Sequence, residues 1–219
     1  VPANATANQR LLTADAFRAA GFQVVRILDE PSAAGLEYAW RRPRDAKVRS
    51  RHVAVYDLGG GTFDASIIAM SDALHEVLTT EGVQRLGGDD FDEVLLGLAC
   101  AAAGRPEPEP GPERERLLEV CREAKERLGP SSRRLLLELE TDGPSVEVAT
   151  ADFEAATQPL VSASLDALAA ALERVATLVG RDIERSTVVY QVGGASQLAF
   201  VGRALRDRFG RRVWRSPYP

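Results

Sequence analysis

The sequence has few of the residues that most often mark a catalytic or metal site. Its 219 residues include two cysteines, two histidines and one methionine. Cys100 and Cys121 lack metal-ligand spacing and fall in helical, apolar patterns, which predicts buried free thiols in a reducing compartment. His52 and His75 lie in strand-like runs, and no Gly-x-Ser-x-Gly elbow accompanies them. The sequence therefore argues against a histidine-based nucleophilic site.

Long apolar runs and a strong positive charge are also missing. No segment is apolar enough to suggest a membrane span, and no signal peptide is visible. The formal net charge is -5, and the arginine-rich stretch over residues 41–51 is predicted to be a solvated loop. We therefore expect neither a membrane nor a nucleic acid as a partner, and we expect a cytoplasmic location. The starting Val-Pro-Ala and the final Ser-Pro-Tyr-Pro predict a piece of something longer.

The most informative segment is residues 57–64, which read Asp-Leu-Gly-Gly-Gly-Thr-Phe-Asp between two strand-like runs. Three glycines allow a tight turn and leave backbone N–H groups bare, so that an anion can approach them. Asp57 and Asp64 bracket the turn, and Thr62 adds a hydroxyl. The amides could hold a phosphate, and the carboxylates could hold a hydrated divalent metal. The alternative is a plain glycine-rich hairpin.

The hydrophobic pattern predicts alternating helices and strands, hence an α/β chain. Helices are predicted over 4–20, 29–40, 88–103, 114–128, 150–179 and 195–209, and strands over 22–28, 52–56, 63–69, 74–80, 134–140, 145–148 and 187–192. Asn4 or Thr6 would cap the first helix. Pro159 predicts a break or kink in the long helix. Adjacent strands near residues 52–80 predict an antiparallel part, so the sheet is expected to be mixed.

Glycine pairs stand at three strand ends, at residues 59–61, at Gly87–Gly88 and at Gly193–Gly194. Open α/β sheets bind ligands where loops leave the strand ends. Three turns of exposed backbone are therefore predicted to converge on one anionic or flat ligand. Neither of the commoner phosphate fingerprints, Gly-x4-Gly-Lys-Ser/Thr or Gly-x-Gly-x-x-Gly opening a helix, is present.

Together these motifs resemble the nucleotide-binding domain of the seventy-kilodalton heat-shock chaperones, in the actin and sugar-kinase superfamily. The matching segments are residues 1–3, 29–34, 57–64, 86–92, 121–128 and 192–198. Residues 57–64 match the family's second phosphate motif at every position. The resemblance implies an actin-like (ribonuclease H-like) fold, with a mixed sheet flanked by helices and a small α+β helical subdomain, present as a partial domain.

The resemblance also implies ATP or ADP with Mg²⁺ as ligands. By position, Asp57 would hold the hydrated magnesium with Asp64 near the metal shell. Thr62 would lie near the γ-phosphate, and Glu30 would order the attacking water. Gly59 and Gly60 would donate amides to phosphate, Lys125 would reach the ribose, and Pro2 would belong to an interlobe hinge. The glycines implied to border the nucleotide are Gly59, Gly60, Gly61, Gly87, Gly88, Gly193 and Gly194.

Four positions depart from the family pattern. Glu126 and Gln197 stand where the family clamps adenine between two arginines, Arg122 stands at the position of a ribose-contacting glutamate, and Gly129 replaces an adenine-contacting serine. Lost guanidinium stacking and a lost hydrogen bond cost on the order of 1–3 kcal/mol. We therefore expect weakened or altered base recognition.

The resemblance divides the chain into residues 1–50 as the remainder of a first lobe, 51–92 with 186–219 as a second-lobe core, and 93–185 as a helical/β subdomain. It implies the ATP-binding part of a chaperone ATPase, with a peptide-binding domain, cochaperones and a nucleotide exchange factor as partners of the parent chain. The family's first phosphate loop and its hydrolysis-assisting lysine precede Val-Pro-Ala, so this chain is expected to hydrolyse ATP weakly or not at all. The alternative is a degenerate, non-hydrolysing actin-like binding or scaffold module.

Overall fold

The computed structural model describes residues 1–3, 5–41, 52–70, 75–140, 143–180, 183 and 186–218. The arginine-rich loop predicted over residues 41–51 lies outside this range except for its first residue. So does Asn4, one of the two candidate caps of the first helix. No helix in the described ranges combines the length and the apolarity needed to cross a lipid bilayer.

Helices and strands alternate, and their bounds are as follows. The helices are α1 (Ala7–Ala19), α2 (Glu30–Arg41), α3 (Gly88–Ala102), α4 (Pro112–Glu126), α5 (Thr150–Val179) and α6 (Ala199–Phe209). The strands are β1 (His52–Leu58), β2 (Thr62–Met70), β3 (His75–Gln84), β4 (Arg134–Leu137), β5 (Val146–Ala149), β6 (Val188–Val192) and β7 (Val213–Arg215). The predicted α/β alternation is confirmed.

The main sheet has five strands in the order β3-β2-β1-β6-β7. β1, β2 and β3 pair antiparallel, whereas β1, β6 and β7 pair parallel. The predicted mixed sheet is therefore confirmed. β4 and β5 form a separate two-stranded antiparallel sheet. Because β1 is central, its end meets both the hairpin to β2 and the turn that follows β6.

Both faces of the main sheet are covered. Val53, Ala54, Val55 and Tyr56 of β1 are at most 1% exposed, as expected for a central strand with near-continuous apolar character. One face packs on α3, α5 and α6, and Tyr56 shares a 2.7 Å hydrogen bond with Ser164 of α5. The other face packs against Tyr38 of α2. The two layers fix the end of β1 from both sides.

The strand predicted over residues 22–28 is wrong. The segment has no regular secondary structure and pairs with no strand in the described chain, and Phe22 and Val25 are 63% and 90% exposed. Its backbone hydrogen bonds lie at the two ends, where the Phe22 N–H donates to Phe17 O at 3.0 Å and Val1 N donates to Leu28 O at 3.0 Å. Just beyond the segment, the Glu30 N–H donates to Val1 O at 2.8 Å. A strand needs a ladder partner along its length, and a β-rich composition cannot supply one.

Several other elements differ in extent from the predictions, and three of the differences have a clear physical reason. α5 continues through Pro159 without the predicted break, because buried residues on both sides of the proline hold the helix against its neighbours. The helix predicted from Ala195 opens as a short 3₁₀ turn over Ala195–Gln197, and α6 begins only at Ala199. β7 was missed, since three residues carry too little periodicity to detect. Thr6 caps α1 in a capping box with Gln9, as one of the two predictions had it.

Candidate functional site

The site lies at the end of β1, where the sequence places its three glycine turns. β1 and β2 are joined by residues 59–61, and the strand register sets Asp57 opposite Asp64. Asp57 also pairs with Val192 at the end of β6, so Gly193 begins its turn beside the same strand end. The mixed sheet thus gathers two of the turns at one edge.

The third turn is docked on the first through the backbone. The Gly88 N–H donates to Gly59 O at 2.9 Å, and the Asp89 N–H donates to Gly60 O at 2.7 Å. A Cβ at Gly87 would stand 2.4 Å from Gly60 O, closer than atoms approach one another. Asp90 caps this start of α3 by accepting from the Gly87 N–H at 2.8 Å. Glycine at position 87 is therefore a packing requirement of the site.

Gly193 meets a similar requirement with an added backbone constraint. Its φ is +89°, a left-handed conformation that L side chains rarely adopt. A Cβ there would stand 2.4 Å from Leu58 O and 2.6 Å from Asp57 Oδ1. The turn after β6 is thus pressed against the end of β1 and against a site carboxylate.

The three turns share one cavity of about 550 Å³. Its walls are Gly60, Gly88, Asp89, Arg122, Lys125, Glu126, Leu128, Gly194, Ala195, Gln197 and Leu198. The predicted convergence is therefore present in the structure. Gly59, Gly61, Gly87 and Gly193 do not line the cavity; they shape and support the turns that do. Gly129 is also absent from the walls.

The backbone N–H groups of residues 59–61 differ in whether they have a hydrogen-bond partner. The Gly59 N–H donates to Thr62 O at 3.1 Å and closes the turn, so this amide already has a partner within the hairpin. The N–H groups of Gly60 and Gly61 have no partner among the described residues. A Cβ at Gly60 would meet nothing within 4 Å, so the space beside this residue is open, and Gly60 lines the cavity. An anion can approach the hairpin there.

Three acids lie near the same strand end. Burial, with the nearby charges of Glu30 and Asp64, raises the pKa of Asp57 to about 6. Burial also raises the pKa of Asp64. Asp57 and Asp64 are cross-strand partners, whereas Glu30 is the exposed first residue of α2. Partly buried carboxylates that repel one another lower their free energy when a cation joins them.

These acids fit a hydrated magnesium ion better than a directly ligated one. Within the described residues, no group of three or more His, Cys, Asp or Glu is arranged to hold a metal by itself. Mg²⁺ commonly keeps several waters and uses one or two carboxylates with substrate phosphates. Asp57 and Asp64 supply two such carboxylates beside the free hairpin amides. Thr62, at the exposed start of β2, lies at the same turn.

Lys125, which is predicted to reach the ribose, lines the cavity and is held there by two partners. Its side chain is 7% exposed, and Nζ donates to Gly88 O at 2.6 Å and lies 2.7 Å from Asp92 Oδ1. Lys125 therefore lines the cavity while tying α4 to the glycine turn before α3. Sequence reasoning missed Asp92 as its partner. A signal was available, because an acid on the apolar face of α3 needs a buried counter-charge.

Three further wall residues, Arg122, Glu126 and Gln197, are positions where the sequence departs from the family pattern. Arg122 Nη2 donates to Asp89 Oδ1 at 2.9 Å, so this guanidinium is paired across the wall. Gln197 Nε2 is buried with no hydrogen-bond partner among the described residues. Its backbone carbonyl accepts from Arg215. Arg122, Glu126 and Gln197 therefore face the same cavity as Gly60, Gly88 and Gly194.

Comparison with known families agrees with this geometry. Residues 1–217 match the family model described as Hsp70 protein. The chain belongs to the Hsp70 family. The resemblance stated from the motifs is thereby confirmed, and with it the partial actin-like ATPase fold, in which helices flank a mixed sheet.

Similar relatives are chaperone proteins described as HscA homologs. One from Polynucleobacter asymbioticus is 40% identical over 96% of this chain and 32% of its own length. One from Bordetella petrii is 38% identical over 96% of this chain and 33% of its own length. One from Azotobacter vinelandii is 38% identical over 97% of this chain and 32% of its own length. The chain therefore spans about a third of the length of the curated relatives it matches.

Proposed function

We propose that this chain is the part of a chaperone ATPase that holds the phosphates and the nucleoside of ATP or ADP. One observation carries the proposal: three glycine turns from separate places in the chain converge on one cavity, and one of these turns, the β1–β2 hairpin, has a cross-strand pair of carboxylates at its base. A plain hairpin would need neither the close docking of Gly87 on Gly60 nor the left-handed Gly193 against Asp57.

In this proposal the hairpin binds the polyphosphate. The free N–H groups of Gly60 and Gly61 donate to phosphate oxygens, and Gly88 borders the same end of the cavity. Asp57 and Asp64 hold the waters of a magnesium ion, which would neutralise phosphate charge. Glu30, beside Asp57, orients a water toward the terminal phosphoryl group, and Thr62 lies near that group.

The same proposal covers the parent protein. Nucleotide state would control a peptide-binding domain, and cochaperones and a nucleotide exchange factor would act on this module in the cytoplasm. We also propose that residues 1–50 are the remainder of a first lobe, that residues 51–92 with 186–219 form a second-lobe core, and that residues 93–185 form a helical/β subdomain. We also propose that this chain by itself hydrolyses ATP weakly or not at all.

Calorimetric titration with ADP, in the presence and absence of Mg²⁺, tests the proposal. We expect magnesium-dependent binding, reduced at least about tenfold by Asp57→Asn, because the variant removes a carboxylate from the metal shell. Asp207→Asn is the matched control, since this exposed acid lies on α6 outside the cavity. Equal binding with and without magnesium, or no nucleotide binding at millimolar concentration, would contradict the proposal.

A further inference from the structure

Asp57, Asp64 and Gly82 form a row across three neighbouring strands. The strand register sets Asp57 of β1 opposite Asp64 of β2, and it sets Asp64 opposite Gly82 of β3. Directly opposed residues of antiparallel strands carry their side chains on the same face of the sheet. Two carboxylates therefore share this face with a position that has no side chain.

The Asp64 carboxylate occupies the space that a side chain at position 82 would take. A Cβ at Gly82 would stand 2.9 Å from Asp64 Oδ1, closer than a Cβ approaches another atom in practice. The backbone is not the obstacle, since Phe63 O would be 3.7 Å away, at ordinary van der Waals contact. The Asp64 carboxylate therefore leans toward β3 and away from β1.

The Asp57 carboxylate leans in the other direction. A Cβ at Gly193, in the turn after β6, would stand 2.6 Å from Asp57 Oδ1. β6 lies on the side of β1 that is remote from β2. Each carboxylate thus uses space left by a glycine on its outer side, and the two carboxylates lean apart. A magnesium ion that keeps several of its waters needs such room between the acids that hold it.

The backbone of Gly82 gives no reason of its own for a glycine. Gly82 lies inside β3, and its φ is not positive, so other residues could adopt its conformation. Glycine inside a strand is less favourable than alanine, and it often marks a place where another group approaches closely. At position 82 that group is the Asp64 carboxylate.

We propose that Gly82 is a positioning residue, which lets the Asp64 carboxylate stand far enough from Asp57 for a hydrated magnesium ion to bind between them. A methyl group at position 82 would push the carboxylate back toward Asp57, bringing two negative charges closer together and narrowing the space for the water shell of the ion. This inference rests on the proposed function and adds to the same site a residue that does not line the cavity.

Calorimetric titration of Gly82→Ala with ADP, in the presence and absence of Mg²⁺, tests the proposal. We expect the affinity for ADP with Mg²⁺ to fall about tenfold, as is typical when a residue that orients a metal-binding side chain is changed. The affinity for ADP without Mg²⁺ should stay within about twofold of that of the unmodified protein, because the hairpin amides are not altered.

The melting temperature without nucleotide tests the contact itself. Alanine is favoured over glycine inside a strand, but in the unmodified chain the methyl group must also displace the carboxylate. Gly82→Ala should therefore raise the melting temperature more in an Asp64→Ala background than in the unmodified protein. Equal changes in the two backgrounds would show that position 82 does not act on Asp64 and would overturn the inference.

Gly97→Ala is the matched control. A Cβ at Gly97, on α3 and outside the cavity walls, would stand 3.1 Å from Glu107 Oε1, so the same substitution again presses on a carboxylate. It should leave ADP binding unchanged with and without Mg²⁺. If Gly82→Ala keeps the full affinity with Mg²⁺, or loses affinity equally without the ion, the inference is overturned while the proposed function stands. If the unmodified protein shows no magnesium-dependent binding of ADP, both proposals fail.

Discussion

The sheet core buries its apolar side chains, whereas the segment before α2 leaves most of its large apolar side chains exposed. In the core, Tyr56, Phe63 and Leu96 are fully buried. In α1 the single buried residue is Ala14, while Leu12 and Phe17 are 64% and 52% exposed. Both regions contain residues suited to their secondary structure. The difference lies in what they pack against.

The comparison separates local from tertiary stabilisation. α1 has a capping box, which satisfies end amides locally, but few of its apolar side chains are removed from water. The sheet buries side chains on both faces, and burial contributes roughly 25 cal/mol per Å² of apolar surface. We therefore expect the functional site, built at the end of β1, to be held by the core and to be independent of α1.

Removing the same side chain from each region gives the largest expected effect. Phe63→Ala deletes a ring that is fully buried with its centroid 4.7 Å from that of Tyr56, and it should lower the free energy of unfolding by about 3–5 kcal/mol. Phe17→Ala should lower it by less than about 1 kcal/mol, because that ring is half exposed and contacts mainly Phe22. Urea denaturation measures both. Similar decreases in the free energy of unfolding for the two variants would contradict the proposed difference between the two regions.

The carboxylate at the end of β1 should make the stability of the core depend on pH. The pKa of Asp57 is about 6 in the folded chain, against an ordinary value of 3.8, so the folded state holds the proton more tightly than the unfolded state. The contribution of Asp57 to the free energy of unfolding should therefore be largest below pH 4. It should be lost as pH rises through 6, a decrease of about 3 kcal/mol in total.

Asp57→Asn isolates that contribution. The variant should lack the Asp57 part of the decrease and should be more stable than the unmodified protein at pH 7, whereas Asp207→Asn should change neither. Urea denaturation at pH 5 and pH 7.5 measures the difference. A variant with the same pH profile as the unmodified protein would show that the carboxyl does not titrate in this window.

Alanine substitutions at two glycines of the docked turns should affect stability and nucleotide binding separately. Gly87→Ala places a methyl group 2.4 Å from Gly60 O, which forces the turns apart and should cost about 1–3 kcal/mol of stability. Gly60→Ala meets nothing within 4 Å and should leave stability nearly unchanged, but its methyl group would enter the space offered to a phosphate. Thermal unfolding and ADP titration together measure the pair. Loss of stability in Gly60→Ala alone would contradict this assignment.

The sequence was sufficient for features that depend on local chemistry and on apolar period. The glycine hairpin between two acids, the central buried strand and the capped first helix follow from residue types a few positions apart. The convergence of the three turns also followed, because strand ends meet at the edge of a sheet.

Other features depend on partners that lie far apart in the chain. Residues 22–28 have strand composition but no neighbouring strand in the described chain. Lys125 turns to Asp92 and Gly88 O, contacts that bridge α4 and α3 over more than thirty residues of sequence. The engaged Gly59 N–H depends on the geometry of one turn, which three consecutive glycines leave open.

The smallest effect on global stability should come from the cap of α1, and it is the sharpest test of the comparison. The Thr6 hydroxyl accepts from the Gln9 N–H at 3.3 Å, and Gln9 Oε1 accepts from the Thr6 N–H at 2.8 Å. Thr6→Ala should destabilise α1 by about 1 kcal/mol and raise hydrogen exchange of its amides about fivefold. Exchange in β1 and the urea midpoint followed by tryptophan fluorescence should not change, because α1 opens without the core. If β1 amides exchange faster in the same variant, α1 and the sheet unfold as one cooperative unit.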